Sequence, residues 1–184
     1  MRTAPGLLAV AVLLALAGCV PSDSHASAAP SASATPLFAS DAEALAAAEK
    51  AYAAYLRVSA EITADGGSDS SRIDPLVTKA QAVKEHETYR FFADKSLRTT
   101  GVPTLGSVEL QQVTYRSTGD AELALYVCVD ATSVRVIDLA GEDVTPSDRV
   151  DQMSLEVTMR SSEAQPTQLL LAESNTWSGA GVCT

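Results

Sequence analysis

The chain reads as an α+β domain in which helices cover one face of an antiparallel sheet of about five strands. Two observations predict this class. The first part of the domain carries apolar residues at helical spacings of three and four. After Gly106 the spacing changes to two, with turn residues at intervals of about ten positions.

The first helix is signalled most clearly. Ser40 followed by Glu43 is a capping-box pattern, which starts a helix at Asp41. To about residue 64, Leu45, Ala48, Tyr52, Tyr55, Leu56, Ser59 and Ile62 fall on one face, and Glu49, Lys50, Arg57 and Glu61 fall largely off it. Gly66-Gly67 ends the helix. Residues 66–72 form a polar loop. Asp74-Pro75 then predicts a cap and a proline at the first helical position, where its missing amide costs nothing. The second helical region runs to about residue 97, with a break near Thr78, where Thr78-x-x-Gln81 offers another cap. Leu76, Val77, Val83, Phe91, Phe92 and Leu97 are its expected apolar contacts, and Gly101, Pro103 and Gly106 stop helical character.

The strands follow in order. Residues 107–117 alternate Val108, Leu110 and Gln112 against Glu109, Gln111, Val113 and Tyr115. Residues 122–130 place Leu123, Leu125, Val127 and Val129 on one face and Glu122, Ala124, Tyr126 and Cys128 on the other. Gly119-Asp120 between the two runs suits a hairpin. Residues 132–139 carry Val134, Val136, Ile137 and Leu139, and residues 141–147 are turn-rich. Residues 150–161 group Met153, Leu155, Val157 and Met159, and residues 167–173 contain Leu169-Leu170-Leu171.

This order of a long helix, shorter helices and a run of strands is similar to the nuclear-transport-factor-like, or cystatin-like, superfamily. Its strongly curved sheet curls round the first helix to make a cone. Ala51-Tyr52-x-x-Tyr55-Leu56, Tyr126-Val127-Cys128-Val129-Asp130 and the terminal Gly181-Val182-Cys183 resemble small secreted or lipid-anchored proteins of GC-rich Gram-positive bacteria with that fold, over residues 38–184. In many of them a tryptophan opens the last strand. Here that strand reads Gln168-Leu169-Leu170-Leu171 and the single tryptophan, Trp177, comes later. The resemblance implies a cone lined by Tyr52, Tyr55, Leu56, Tyr89 and Asp130, although aromatic residues on a helix stripe are more often plain core.

Ahead of the domain stand Arg2, an apolar run over residues 7–16, and Leu16-Ala17-Gly18-Cys19. They resemble a bacterial lipoprotein signal and its lipobox. The resemblance implies cleavage after Gly18, so that residues 1–18 are a signal peptide, and acylation of Cys19 with palmitate-like chains. The run itself is too short to span a bilayer, which takes about 20 apolar residues. Residues 19–37 are the lipidated cysteine and a Ser/Ala/Pro tether that buries too little to offset its ordering entropy. Such a coil averages about 20–25 Å end to end. The domain, residues 38–184, is therefore expected outside the cell, at the outer face of the plasma membrane, with the acyl group as its membrane contact.

Charge and cysteine count narrow the partners. Lys plus Arg number 13 against 23 Asp plus Glu, a net charge of −10, and the basic residues are scattered singly along the chain. That pattern excludes nucleic acid and argues against docking on anionic headgroups. With Cys19 acylated, Cys128 and Cys183 are left in an oxidising compartment, where the even count suggests one bond between them. Two free buried thiols are the alternative. These cysteines offer no CxxC and there is no nearby histidine pair, so no metal ligand set is expected, and no cofactor.

No catalytic residue is assigned. His86 is the single histidine of the domain, no HExxH pair occurs, and no Ser, His, Asp arrangement can be located from the chain. Glu85, His86 and Glu87 point in different directions on a helix, so they are not a cluster. The expectation is a non-enzymatic module that works through protein contacts or holds a small apolar ligand. The resemblance leaves one alternative, a proton-transfer enzyme of the ketosteroid-isomerase or polyketide-cyclase kind. It would use Asp130 or His86 as base inside the cone, with Tyr52, Tyr55 or Tyr89 as hydrogen-bond donor.

Overall fold

The computed structural model describes residues 36–116, 120–179 and 181–183. The lipobox with Cys19, nearly all of the tether, and Gly119 of the expected hairpin turn lie outside these residues. Leu37 already packs against the core and Phe38 is buried in it, so packing begins one residue ahead of the expected domain start.

The first helix, α1, spans Asp41–Ala64, as its stripe requires. The Ser40 hydroxyl accepts the Glu43 amide at 3.2 Å, and the Glu43 carboxylate accepts the Ala39 amide at 2.7 Å, so the reciprocal cap closes one residue earlier than the sequence pattern implies. Ala44, Ala48, Tyr52, Leu56 and Ala60 are buried at intervals of four, with Ile62 beside them. At the other end the Gly66 amide donates to Thr63 O and the Gly67 amide to Ile62 O, the paired bonds of a Schellman cap. Both glycines have positive φ, 68° and 81°. A Cβ on Gly67 would meet Tyr89 O at 2.0 Å, so the turn also needs glycine for the second helix to approach.

Asp74-Pro75 does not open that second helix. Pro75 lies inside a 3-10 turn, Ser70–Leu76, after which Val77 is fully extended. Val77 pairs in parallel with Leu171, and the Thr78 amide donates to Leu171 O at 2.9 Å, so pairing with the last strand draws this stretch out of helical conformation. Helix α2 begins after Thr78, whose hydroxyl accepts the Gln81 amide, and spans Lys79–Asp94. It stops short of residue 97, with Ser96 at φ 52°. Its buried row is Gln81, Glu85 and Tyr89. Val83 and Phe91, expected as apolar contacts, are 59% and 53% exposed.

The strands are β1 Arg98–Thr100, β2 Thr104–Tyr115, β3 Ala121–Asp130, β4 Arg135–Ile137, β5 Gln152–Ser161 and β6 Leu169–Thr176. Four form one antiparallel sheet in the order β2-β3-β5-β6; β1 and β4 form a separate pair. The strand expected over residues 132–139 is thus cut to three residues and leaves the main sheet. The cause is the turn after β3, where Val134 N–H donates to Ala131 O and Asp130 Oδ1 accepts Thr132 N–H.

One face of the main sheet is largely apolar. Val113, Leu123, Met159 and Leu171 stand in one cross-strand row, Leu110, Leu125, Val157 and Ser174 in the next, and Val108, Val127 and Leu155 in a third. Helix α1 packs on both edge strands, β2 and β6, which means that the sheet bends round it. None of the helices among the described residues is long and apolar enough to cross a membrane.

Candidate functional site

The polar groups inside the domain converge where α1, α2 and the end of β6 meet. Tyr52 and Tyr55, three apart on α1, bring their rings to 5.6 Å between centroids. The Tyr55 hydroxyl donates to Glu85 Oε1 at 2.9 Å, and Gln81, one turn earlier on α2, donates its side-chain N–H to the same oxygen at 2.8 Å. Tyr89, one turn later, is 1% exposed. Its hydroxyl lies within electrostatic reach of Ser59 and Glu85 but closes a hydrogen bond with neither, and Gln81 Oε1 is buried without a partner among the described residues.

Burial controls the chemistry of these phenols. Loss of hydration pushes Tyr52 up to about 12, a rise that the Ser174 hydroxyl opposes and the Glu85 charge reinforces. Burial, then Glu85, raise Tyr55 further; burial also raises Tyr89. All three stay protonated at physiological pH and act as donors to a carboxylate or as packing. Leu56, buried beside Tyr52, adds only apolar surface.

Of the expected lining, Tyr52, Tyr55, Leu56 and Tyr89 are inside, and Asp130 is not. Asp130 shares its face of β3 with Tyr126 and Cys128, opposite Val127 and Val129, because strand side chains alternate. Its carboxylate is held below the usual range by the Thr132 side chain and amide. It is a turn cap on the outer face. Glu85 is the interior carboxylate that sequence reasoning passed over. The signal was its place in the i, i+4 row with Gln81 and Tyr89, which outweighs the divergent neighbours His86 and Glu87.

His86 sits at the flank of α2, half-way to solvent, bridging to the 3-10 turn. Its Nε2 lies 2.8 Å from Asp74 Oδ1 and its Nδ1 2.8 Å from Ser70 Oγ. In the neutral ring, Nε2–H donates to the carboxylate and Nδ1 accepts the serine hydroxyl. A Ser, His, Asp chain therefore exists that spacing alone did not reveal. It links the 3-10 turn to α2, and neither Ser70 nor His86 lines the surface grooves described next.

Two surface grooves flank the domain. One, of about 510 Å³, is lined by Asp74, Thr78, Lys79, Arg116, Arg160 and Glu163, among others. Arg116 and Arg160 both bind Glu122, at 2.9 and 2.7 Å. The other, of about 460 Å³, lies between Asp65, Arg98 and Leu139. Neither is lined by the tyrosines or Glu85. Among the described residues no three His, Cys, Asp or Glu side chains are placed to hold a metal ion together.

On the outer sheet face the C-terminal tail is tied down. Cys128 is bonded to Cys183, with Cα atoms 5.1 Å apart. Val182 is buried, and the Ser107 hydroxyl donates to its carbonyl. Strand β6 continues to Thr176, past a register shift opposite Thr158 and Met159. Trp177 then donates its amide to Ser154 O and stacks on Tyr126 at 4.3 Å between centroids. The tryptophan that the resemblance places at the start of the last strand thus stands at its end.

No family model and no curated protein matches the chain. Among solved structures it is similar to the intermembrane space region of chloroplast protein ARC6, with a TM-score of 0.54 at 12% identity over 73% of this chain and 97% of that one. A periplasmic fragment of TraM aligns with a TM-score of 0.47 at 15% identity, over 76% of this chain and the whole of the fragment. The first likeness is one of fold.

Proposed function

We propose that this chain is a non-enzymatic lipoprotein, held at the outer face of a bacterial plasma membrane through acylated Cys19, whose nuclear-transport-factor-like domain acts as a protein-interaction module. The observation that carries the module reading is the filled interior. Tyr52, Tyr89, Leu125, Met159 and Leu171 are each at most 2% exposed, and the one interior carboxylate of the tyrosine cluster is engaged by Tyr55 and Gln81. A small apolar ligand needs an open concavity with a few convergent polar groups. An isomerase-like base needs to stand inside, and Asp130 and His86 stand outside. The bond between Cys128 and Cys183 accords with an oxidising, extracytoplasmic compartment. So does a shared fold with an intermembrane space region.

The test has two arms. Mass analysis of the membrane-extracted protein should show Cys19 as the acylated first residue; a soluble chain with unmodified Cys19 overturns the anchor. Calorimetric titration with fatty acids and steroid-like ketones should give no saturable heat. Stoichiometric binding that Tyr52→Ala abolishes would replace the interaction module with a ligand carrier.

A further inference from the structure

Helix α2 faces the core with its polar side. Gln81, Glu85 and Tyr89 are buried, while Val83 and Phe91, at 59% and 53% exposure, look outward with Ala80 near them. The packing that selects this orientation is the Glu85 cluster, which draws the polar row inward and leaves Val83 and Phe91 exposed, the Phe91 ring touching only the edge of its neighbour Phe92 among the aromatic rings. A helix whose apolar residues are turned from its own domain has a surface to offer something else.

The cations show what that is. Every described arginine outside α2, except Arg98, is ion-paired: Arg57 to Glu61, Arg72 to Asp65, Arg116 and Arg160 to Glu122, Arg135 to Asp143 and Arg149 to Asp151. Lys79, Lys84, Arg90 and the C-cap residue Lys95 have no ion pair among the described residues and are exposed. At 100° per residue, Lys84 and Lys95 flank Phe91 on one side, and Lys79 and Arg90 flank Val83 on the other. A chain of net charge −10 thus gathers most of its uncommitted cations on one helix, around its exposed apolar side chains.

We propose that the outer face of α2 is a docking surface for an anionic phospholipid bilayer. Apolar side chains bordered by lysine and arginine are the chemistry of an interfacial helix, in which the rings enter the headgroup boundary and the cations meet lipid phosphates. Glu87 and Asp94 fall between Val83 and Phe91 on the same face and offset two of its four positive charges. The mode is therefore reversible surface contact. The acidic remainder of the domain is repelled by the same surface, which orients α2 toward the lipid. The proposal rests on the lipoprotein reading for the nearness of the membrane. It revises the expectation that the acyl group is the sole membrane contact, an expectation built on net charge without knowledge of where the cations gather.

The full chain carrying Cys19→Ala, which cannot be acylated, should be sedimented with vesicles of phosphatidylglycerol and phosphatidylcholine, and with vesicles of phosphatidylcholine alone. Preferential partition to the anionic vesicles, weakened by salt, is expected. Each basic residue near such a surface is worth about a factor of five, so Lys84→Gln with Lys95→Gln should lower partition roughly 25-fold. Phe91→Ser should lower it as well. These side chains are exposed, so the thermal unfolding of the variants should match that of the parent. Equal partition to both vesicle types, or variants that partition like the parent, overturns the proposal; the latter result would credit the apolar run at residues 7–16. Retention on polyglutamate with no vesicle binding also overturns it and puts an acidic protein on α2. Failure of the anchor itself is read separately, from the acyl mass on Cys19.

Discussion

Leu125 and Tyr126 are neighbours on β3 and belong to two differently built halves of the molecule. Leu125 is 1% exposed and stands between Leu110 and Val157 under α1, in a surface to which four strands contribute. Tyr126 points the other way and is covered by one ring, that of Trp177, at the start of a tail that ends in the bond from Cys183 to Cys128. Burial on the inner face is shared among many side chains. On the outer face it depends on a few residues brought from the end of the chain. The first arrangement should lose stability in proportion to what is removed, and the second should fail at one bond.

Breaking that bond is the strongest test. Cys183→Ser opens a loop of 55 residues between the two cysteines. It should cost about 4 kcal/mol in urea unfolding on the chain-entropy account. Trp177 should leave Tyr126 at the same time, shifting native-state emission to the red. An unchanged emission spectrum would mean that stacking, and not the bond, holds the tail. Leu125→Ala probes the opposite face and should cost about 3 kcal/mol from lost burial and the cavity left behind, with native emission unchanged.

Between these extremes lies the polar cluster. Tyr55→Phe removes one of the two donors on Glu85 Oε1 and should cost about 1–2 kcal/mol. The phenols also set an alkaline limit. Their folded values are raised, so their contribution is complete below the ordinary phenol value of about 10 and is lost as pH rises through the folded values, about 12 for Tyr52. Phenolate absorbance of Tyr52, Tyr55 and Tyr89 should appear together with loss of helical circular dichroism; early, separate ionisation would show that the cluster is open to water.

The smallest effect is expected at the rim of the outer face. Partial burial works to raise the Glu122 carboxyl, but Arg160 and Arg116 together hold it below its usual value. A depressed folded value means that stability is present above the ordinary carboxylate range and is lost as pH falls through the folded value. Glu122→Gln should therefore cost less than about 1 kcal/mol at neutral pH, as exposed pairs do, and nothing in acid. A larger loss at neutral pH would show this pair to be shielded from solvent.

How far the chain can be read in advance depends on the reach of the forces involved. The bounds of α1 and the inward row of β3 were legible because a cap and a spacing act within a turn or a strand. The start of α2 was not, since Val77 obeys Leu171, a partner far along the chain, and not its neighbour Pro75. The inward side of α2 was hidden for a similar reason. Its apolar residues do not share the phase of its buried row, and the bond from Tyr55 to Glu85 decides which side turns in. Tyr52, Tyr55 and Leu56 lie on the stripe that helical periodicity marks, whereas Tyr89 came from the resemblance and not from the spacing of α2. Asp130 was misplaced because the parity of its strand was not carried to the strand's end.

The amino-acid order by itself determined the α+β class, the long capped helix and the alternation of the main strands, because each depends on local geometry. Tertiary structure alone decided which strands share a sheet, where Glu85 and His86 find their partners, and that α2 turns most of the unpaired cations among the described residues to its outer side. Such contacts join residues distant in sequence, and their energies exist only once the chain has closed those distances.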